Sequence, residues 1–196
     1  MEHNPYQAPL ARVDDFASSE ADAMFMVVAP RKFWIMIIGT VGLYAYYWFY
    51  KNWALLNRRH KTYWPVLRAI FSIFFTHSLF KEVADAIQRR GATHAWSPHA
   101  MATQYVVCSI ASQVCDKLAG RGVGSPVTDA IALVLLWPIF GALYAAQRAI
   151  NVAEGDPTGE RNSSLTPANF AWLLLGGLLW LLLLLGLFVI ATDGLE

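Results

Sequence analysis

The sequence predicts an all-α, polytopic membrane helix bundle, and three observations carry that prediction. Apolar residues make up 56% of the chain and charged residues only 15%, where a soluble domain has about 25% charged. The apolar residues lie in long runs separated by short charged stretches, and mean hydropathy is +0.38. The clearest run, residues 170–191, carries no charge and is long enough to cross a hydrocarbon core of about 30 Å. The net charge of +1 supplies no basic field for nucleic acid.

Residues 1–30 read as a mobile polar tail. They hold Pro5, Pro9, Asp14, Asp15, Glu20 and Asp22, too few apolar groups to offset the entropy of ordering. Residues 24–29, MFMVVA, are expected to touch the membrane surface. The polar, acidic start does not resemble a signal peptide. The bundle then occupies residues 31–196, with helices expected at about 33–53, 64–90, 101–119, 127–150 and 168–191.

The first apolar run, residues 33–49, is flanked by Arg31, Lys32 and Lys51. Its second half is aromatic: Tyr44, Tyr46, Tyr47, Trp48, Phe49, Tyr50 and Trp53. Such rings favour the headgroup level, so the segment reads as a short span ending in an interfacial belt. Arg58, Arg59 and Lys61 form the densest basic cluster, and with Arg68 and Lys81 they are the candidate contacts to anionic headgroups.

Segment 64–90 has only twelve uncharged residues between Arg68 and Lys81. At about 1.5 Å per residue that is too short to cross alone. The continuation is amphipathic, with Leu79, Val83, Ala86 and Ile87 on one side and an i,i+4 pair of Lys81 and Asp85 on the other. It reads as an interfacial or re-entrant helix, with a tilted span as the alternative. Segment 101–119 is weakly apolar. Ala111, Cys115 and Ala119 recur at four-residue spacing, a pattern that lets helices approach closely in lipid. Cys108 and Cys115 lie two turns apart, about 10 Å along a helix, beyond the reach of a disulfide. In segment 127–150 Pro138 interrupts the backbone bonding, and Gly141, Ala145 and Ala149 form a second small-residue stripe. Thr166 and Pro167 suit the cap and first turn of the last helix.

Charge decides between topologies. With all five segments crossing, the basic residues divide eight against seven; with 64–90 kept on one face they divide ten against five. The second division fits the positive-inside bias. The preferred arrangement is therefore four crossings plus one interfacial or re-entrant helix, with the tail outside. An alternative makes the first segment re-entrant and keeps the tail inside.

Catalytic motifs are missing: the sequence holds no GxSxG, HExxH, P-loop or dinucleotide-binding glycine pattern. No metal site, cofactor or enzymatic activity is expected. Gln104, Gln113 and Asp129 are the polar residues that could line a conduction path.

Two stretches carry a resemblance. Asn4, Pro5, Tyr6, Pro9 and Ala11 are similar to the NPYxxPxA opening of many small bacterial inner-membrane proteins. Thr40, Gly42, Tyr44, Tyr47 and Trp48 match the TxGxYxxYW outline of an uncharacterised DUF4234-like group. The likeness is strongest over residues 1–90. It implies a multi-pass protein of the bacterial inner membrane and no particular mechanism. The expected function is that of an accessory or scaffolding protein binding membrane lipid or a larger membrane complex. A small oligomeric channel or transporter is the alternative.

Overall fold

The computed structural model describes residues 23–193, and all regular structure in that range is helical. The helices are α1 (Pro30–Gly39), α2 (Tyr44–His60), α3 (Pro65–Ile70), α4 (Ser72–Arg89), α5 (Pro98–Ala119), α6 (Val127–Ala153) and α7 (Pro167–Asp193), with a 3₁₀ turn at Glu160–Asn162. Two of them, α6 and α7, are long and apolar enough to cross a membrane.

The expected helix over 33–53 is two helices. The chain turns at residues 40–43, and both arms lie along the second half of α6. Phe33 of α1 packs on Tyr144, Gly42 of the turn abuts Phe140, and Trp48 of α2 donates its indole N–H to Gln147 at 2.5 Å. Thr40 makes the turn self-sufficient: its hydroxyl donates to the Met36 carbonyl at 2.7 Å and accepts from the Tyr44 amide at 3.0 Å. One side chain thus ends one helix and starts the next. Gly42 has φ +84 and Val41 φ +51. A β-branched residue in the left-handed region is strained, by about 1–3 kcal/mol.

That turn explains why the aromatic belt is largely interior. Tyr44, Trp48, Phe49, Trp53 and Leu56 are all 2% exposed or less, whereas Tyr46 and Tyr50 face outward. The buried rings follow helical spacing along one face of α2, which packs chiefly against α3, touches α1 and α4, and reaches α6 through Trp48.

The expected helix over 64–90 is also divided, at Phe71. Short α3 leads inward from the α2 end to mid-bundle, where Ser72 and Tyr105 share a hydrogen bond at 3.0 Å. From there α4 runs back out, and Arg90 reaches the carbonyl of Ala153 at 3.4 Å. The Lys81–Asp85 pair forms at 2.6 Å on its exposed face. Helices α5 and α6 form a long antiparallel hairpin that turns at residues 120–126. Its packing face on α5 is Ala102, Tyr105, Ser109 and Ser112, and on α6 Ala132, Ile139, Ala142, Ala146 and Ala149.

Residues 24–29 belong to the packed body, which corrects the surface placement expected of them. Phe25 and Val28 are 1% and 0% exposed. The segment has no neighbouring strand among the described residues, so side chains satisfy most of its backbone, whose groups alternate between two edges as in any extended chain. On one edge Asn52 accepts from the Met26 amide at 3.0 Å and Gln147 donates to the Met26 carbonyl at 3.0 Å. On the same edge Asn151 accepts from the Val28 amide at 3.2 Å and donates to its carbonyl at 2.9 Å. On the other edge Asn162 donates to the Val27 carbonyl at 2.8 Å, and its own carbonyl accepts from the Ala29 amide at 3.2 Å. Glu154 accepts from the amides of Met24 and Phe25 at 2.9 and 2.8 Å. Buried backbone groups need such partners, and this strap finds them in amides drawn from α2, α6 and the loop after α6. The remainder of the expected tail, residues 1–22, lies outside the described residues.

Helix α7 begins with a one-way side-chain cap, Asn169 accepting from both the amide and hydroxyl of Thr166 at 2.9 and 3.1 Å. It packs chiefly on α1. Gly176 sits so close to the end of α1 that a Cβ there would strike the Gly39 carbonyl oxygen. Trp180 donates its indole N–H to the Ile38 carbonyl at 2.8 Å, a second bond to a group that also accepts from the Val41 amide at 3.0 Å. Most other α7 side chains face outward, including Leu174, Leu182 and Phe188 at 78%, 57% and 67%.

Candidate functional site: a groove where two helix breaks meet

The turn at 40–43 and the break at Phe71 converge on one groove of about 730 Å³. Its walls come from Val41, Leu43, Phe49, Ile70, Phe71, Phe74, Leu136 and Phe140. A strip of polar groups from α5 and α4 crosses it: Tyr105, Ser109, Ser112, Gln113 and Ser72. The volume falls in the range of small-molecule sites, and so does the pattern of apolar walls with a few fixed polar groups.

Of the TxGxYxxYW residues Gly42 lines this groove, and the others fix the turn and helix that carry its walls. Thr40 and Gly42 shape the turn, Tyr44 packs on Phe33, and Trp48 locks α2 to α6 through Gln147. Gln147 in turn donates to the Asn151 side chain at 2.8 Å. Trp48, next in the chain to the wall residue Phe49, is thereby connected to the strap by a continuous chain of hydrogen bonds.

Arg68, one helical turn before the wall residue Phe71, is not itself part of the lining. Its guanidinium lies 4.3, 4.2 and 4.8 Å from the ring centroids of Trp53, Tyr63 and Phe75. These are cation–π distances. The other candidate headgroup contacts are spread more widely. Arg58 and Lys61 are exposed around the α2–α3 connection, Arg59 occupies the last turn of α2, and Lys81 lies on the outer face of α4. Lys32, which sequence reasoning passed over as a flank, is 4% exposed and donates to the Asn162 side chain and the Ser164 carbonyl at 2.6 and 2.7 Å.

The three residues of the expected polar path occupy different settings. Gln104 donates to the Pro138 carbonyl at 2.8 Å, joining α5 to the proline turn of α6. Gln113 lines the groove. Asp129 lies in the first turn of α6, in electrostatic contact with Asp116. Of the small-residue stripes, Ala149 is fully buried, whereas Gly141, Ala145, Ala111, Cys115 and Ala119 are half-buried beside the true packing faces. Cys108 and Cys115 are free thiols. Among the described residues no three His, Cys, Asp or Glu side chains converge as a metal site would require.

The residues missed in the sequence are the amides Asn52, Gln147 and Asn151. Each falls on an otherwise apolar helical face, and that misfit was their signal.

No protein-family model, curated protein or solved structure matches this chain.

Proposed function

We propose that this chain is a multi-pass membrane protein that holds a membrane lipid in the groove between its two helix breaks, acting as an accessory or scaffolding component. The resemblance of the first ninety residues favours the bacterial inner membrane. In this reading α5, α6 and α7 cross the bilayer, while α1–α2 and α3–α4 are hairpins that enter and leave on the same face. This replaces the expected four crossings with three, and draws on the re-entrant alternative for the first segment.

Charge supports the arrangement. Arg31, Lys32, Lys51, Arg58, Arg59, Lys61, Arg68, Lys81, Arg89, Arg90, Arg148 and Arg161 all belong to the hairpins, to their connections or to the strap end of α6 and the loop beyond it. Only Lys117 and Arg121 lie at the opposite turn. Twelve against two is a stronger positive-inside bias than any arrangement in which the first segment crosses. It puts the strap in the cytoplasm. Broken helices at membrane depth are tolerated where they line a protein-enclosed cavity, and here both breaks do.

The single observation that carries the lipid reading is the groove itself, apolar on its walls, polar along one strip and formed where two helix breaks converge. Native mass spectrometry of the detergent-purified protein tests it. A stoichiometric lipid is expected on the wild type and is expected to be lost in Ala45→Trp, which fills the groove from α2. Equal lipid retention in a folded Ala45→Trp protein would sink the reading.

A further inference from the structure

We propose that Arg68 is the headgroup site of the groove, and that the lipid it selects is an anionic phospholipid. The inference rests on the lipid reading above and names the class of ligand. Three independent features lead to it.

The first is the state of the guanidinium. Arg68 is half-buried among three aromatic rings, yet among the described residues no carboxylate, carbonyl or hydroxyl accepts from it. Cation–π contact with these rings supplies no oxygen acceptor to the five N–H donors of the guanidinium. A phosphate accepts from such a fork in two parallel, charge-assisted bonds.

The second is an orphan donor in the same cage. Trp53 is 0% exposed, and its indole Nε1 is buried with no hydrogen-bond partner. Buried donors are nearly always paired. The cage therefore holds two donor groups and supplies no acceptor for either.

The third is position. Arg68 lies one helical turn before the wall residue Phe71, and Trp53 lies one helical turn beyond Phe49, another wall residue, so the cage adjoins the groove. Arg68 is also one turn from Pro65, the start of α3, a depth suited to the headgroup boundary of a segment entering the membrane there. A phosphate on Arg68 would place an acyl chain against Ile70, Phe71 and Phe74. Arg58 and Lys61, exposed around the preceding connection, add attraction for the same charge.

The test uses delipidated full-length protein and lipid titration followed by native mass spectrometry, with phosphatidylglycerol and phosphatidylcholine as the two probes. Wild type is expected to prefer phosphatidylglycerol by about tenfold, the worth of one charge-assisted contact. Arg68→Gln should weaken both phospholipids, which share the phosphodiester, and abolish the preference, because the choline cation no longer faces a like charge. Arg68→Lys, which keeps the charge and loses the fork, should retain part of the preference, and it serves if the glutamine variant fails to fold. An unchanged lipid ratio in a folded Arg68 variant overturns the proposal. So does inorganic phosphate at millimolar concentration protecting the site as fully as the lipid does, because the acyl chain would then contribute nothing. Ala45→Trp separates the two claims: loss of both lipids there, with the Arg68 variants keeping the wild-type lipid ratio, retains the groove and removes the headgroup site.

Discussion

The strap end of the molecule and its far end use apolar residues in opposite ways. At the strap end Phe33, Trp48, Phe49, Leu56 and Leu143 are at most 1% exposed, and Asn52, Gln147 and Asn151 are buried among them. At the far end Val134, Trp137, Leu182, Leu185 and Phe188 are more than half exposed. The first region is organised as a water-soluble protein is, around an interior. The second is turned outward, which is stable only where the surroundings are themselves apolar. Greasiness alone therefore does not mark what is inside; polar residues within an apolar face do.

Paired truncations give the largest expected difference between the two ends. Leu143→Ala, at 0% exposure, should cost about 2–5 kcal/mol by opening a cavity. Leu185→Ala, at 52% exposure, should stay within about 0.5 kcal/mol. Equilibrium unfolding in mixed micelles measures both, and equal losses would erase the distinction. Next comes Asn151→Leu, which leaves the amide and carbonyl of Val28 without partners. A loss of about 2–3 kcal/mol is expected, together with new protease cleavage within residues 24–29. Resistance to cleavage in that variant would mean that the strap is held by its apolar side chains alone.

A smaller effect tests the junction between the two ends. Gly176→Ala would drive a methyl group into the Gly39 carbonyl and should cost about 1–3 kcal/mol, whereas Gly177, with open space around it, should tolerate alanine. The smallest effect lies in the loop that closes the strap end. Burial pushes the Asp156 carboxyl up, but the backbone amides of Arg161, Glu160 and Gly159 and the Arg161 guanidinium outweigh it and hold it below the ordinary carboxylate value. A depressed carboxyl stabilises the fold above its unfolded value, about 3.9, and loses that contribution as pH falls through the folded one. Asp156→Asn should thus lower the thermal midpoint slightly at pH 7, and the difference from wild type should shrink below about pH 4.

Helix content and the approximate bounds of α5, α6 and α7 were legible, because long apolar runs, Thr166–Pro167 and the glycine-rich turn at 120–126 are strong local signals. The Lys81–Asp85 pair was legible for the same reason. The turn at 40–43 was not. A threonine that caps two helices at once is recognisable only when the chain is seen to reverse, and an uncharged run of seventeen residues reads more naturally as a short span. The aromatic face of α2 was misassigned in consequence, since ring chemistry suits both a headgroup belt and a core. Of the site, Arg68 and Gln113 were visible as residue types. The groove was not, because it depends on two breaks some thirty residues apart in the chain coming together.

The strap also imposes an order on synthesis. Residues 24–28 leave the ribosome early, yet Asn151, Glu154 and Asn162, which hold them, follow 123 to 135 residues later. Until α6 and its following loop exist, the backbone of this segment has only water and Asn52 to bond with, 26 residues on. The earliest part of the packed body is therefore among the last to settle. A nascent chain halted before α6 would carry its amino-terminal hydrophobic segment undocked, and its assembly would depend on whatever shields that segment during the wait.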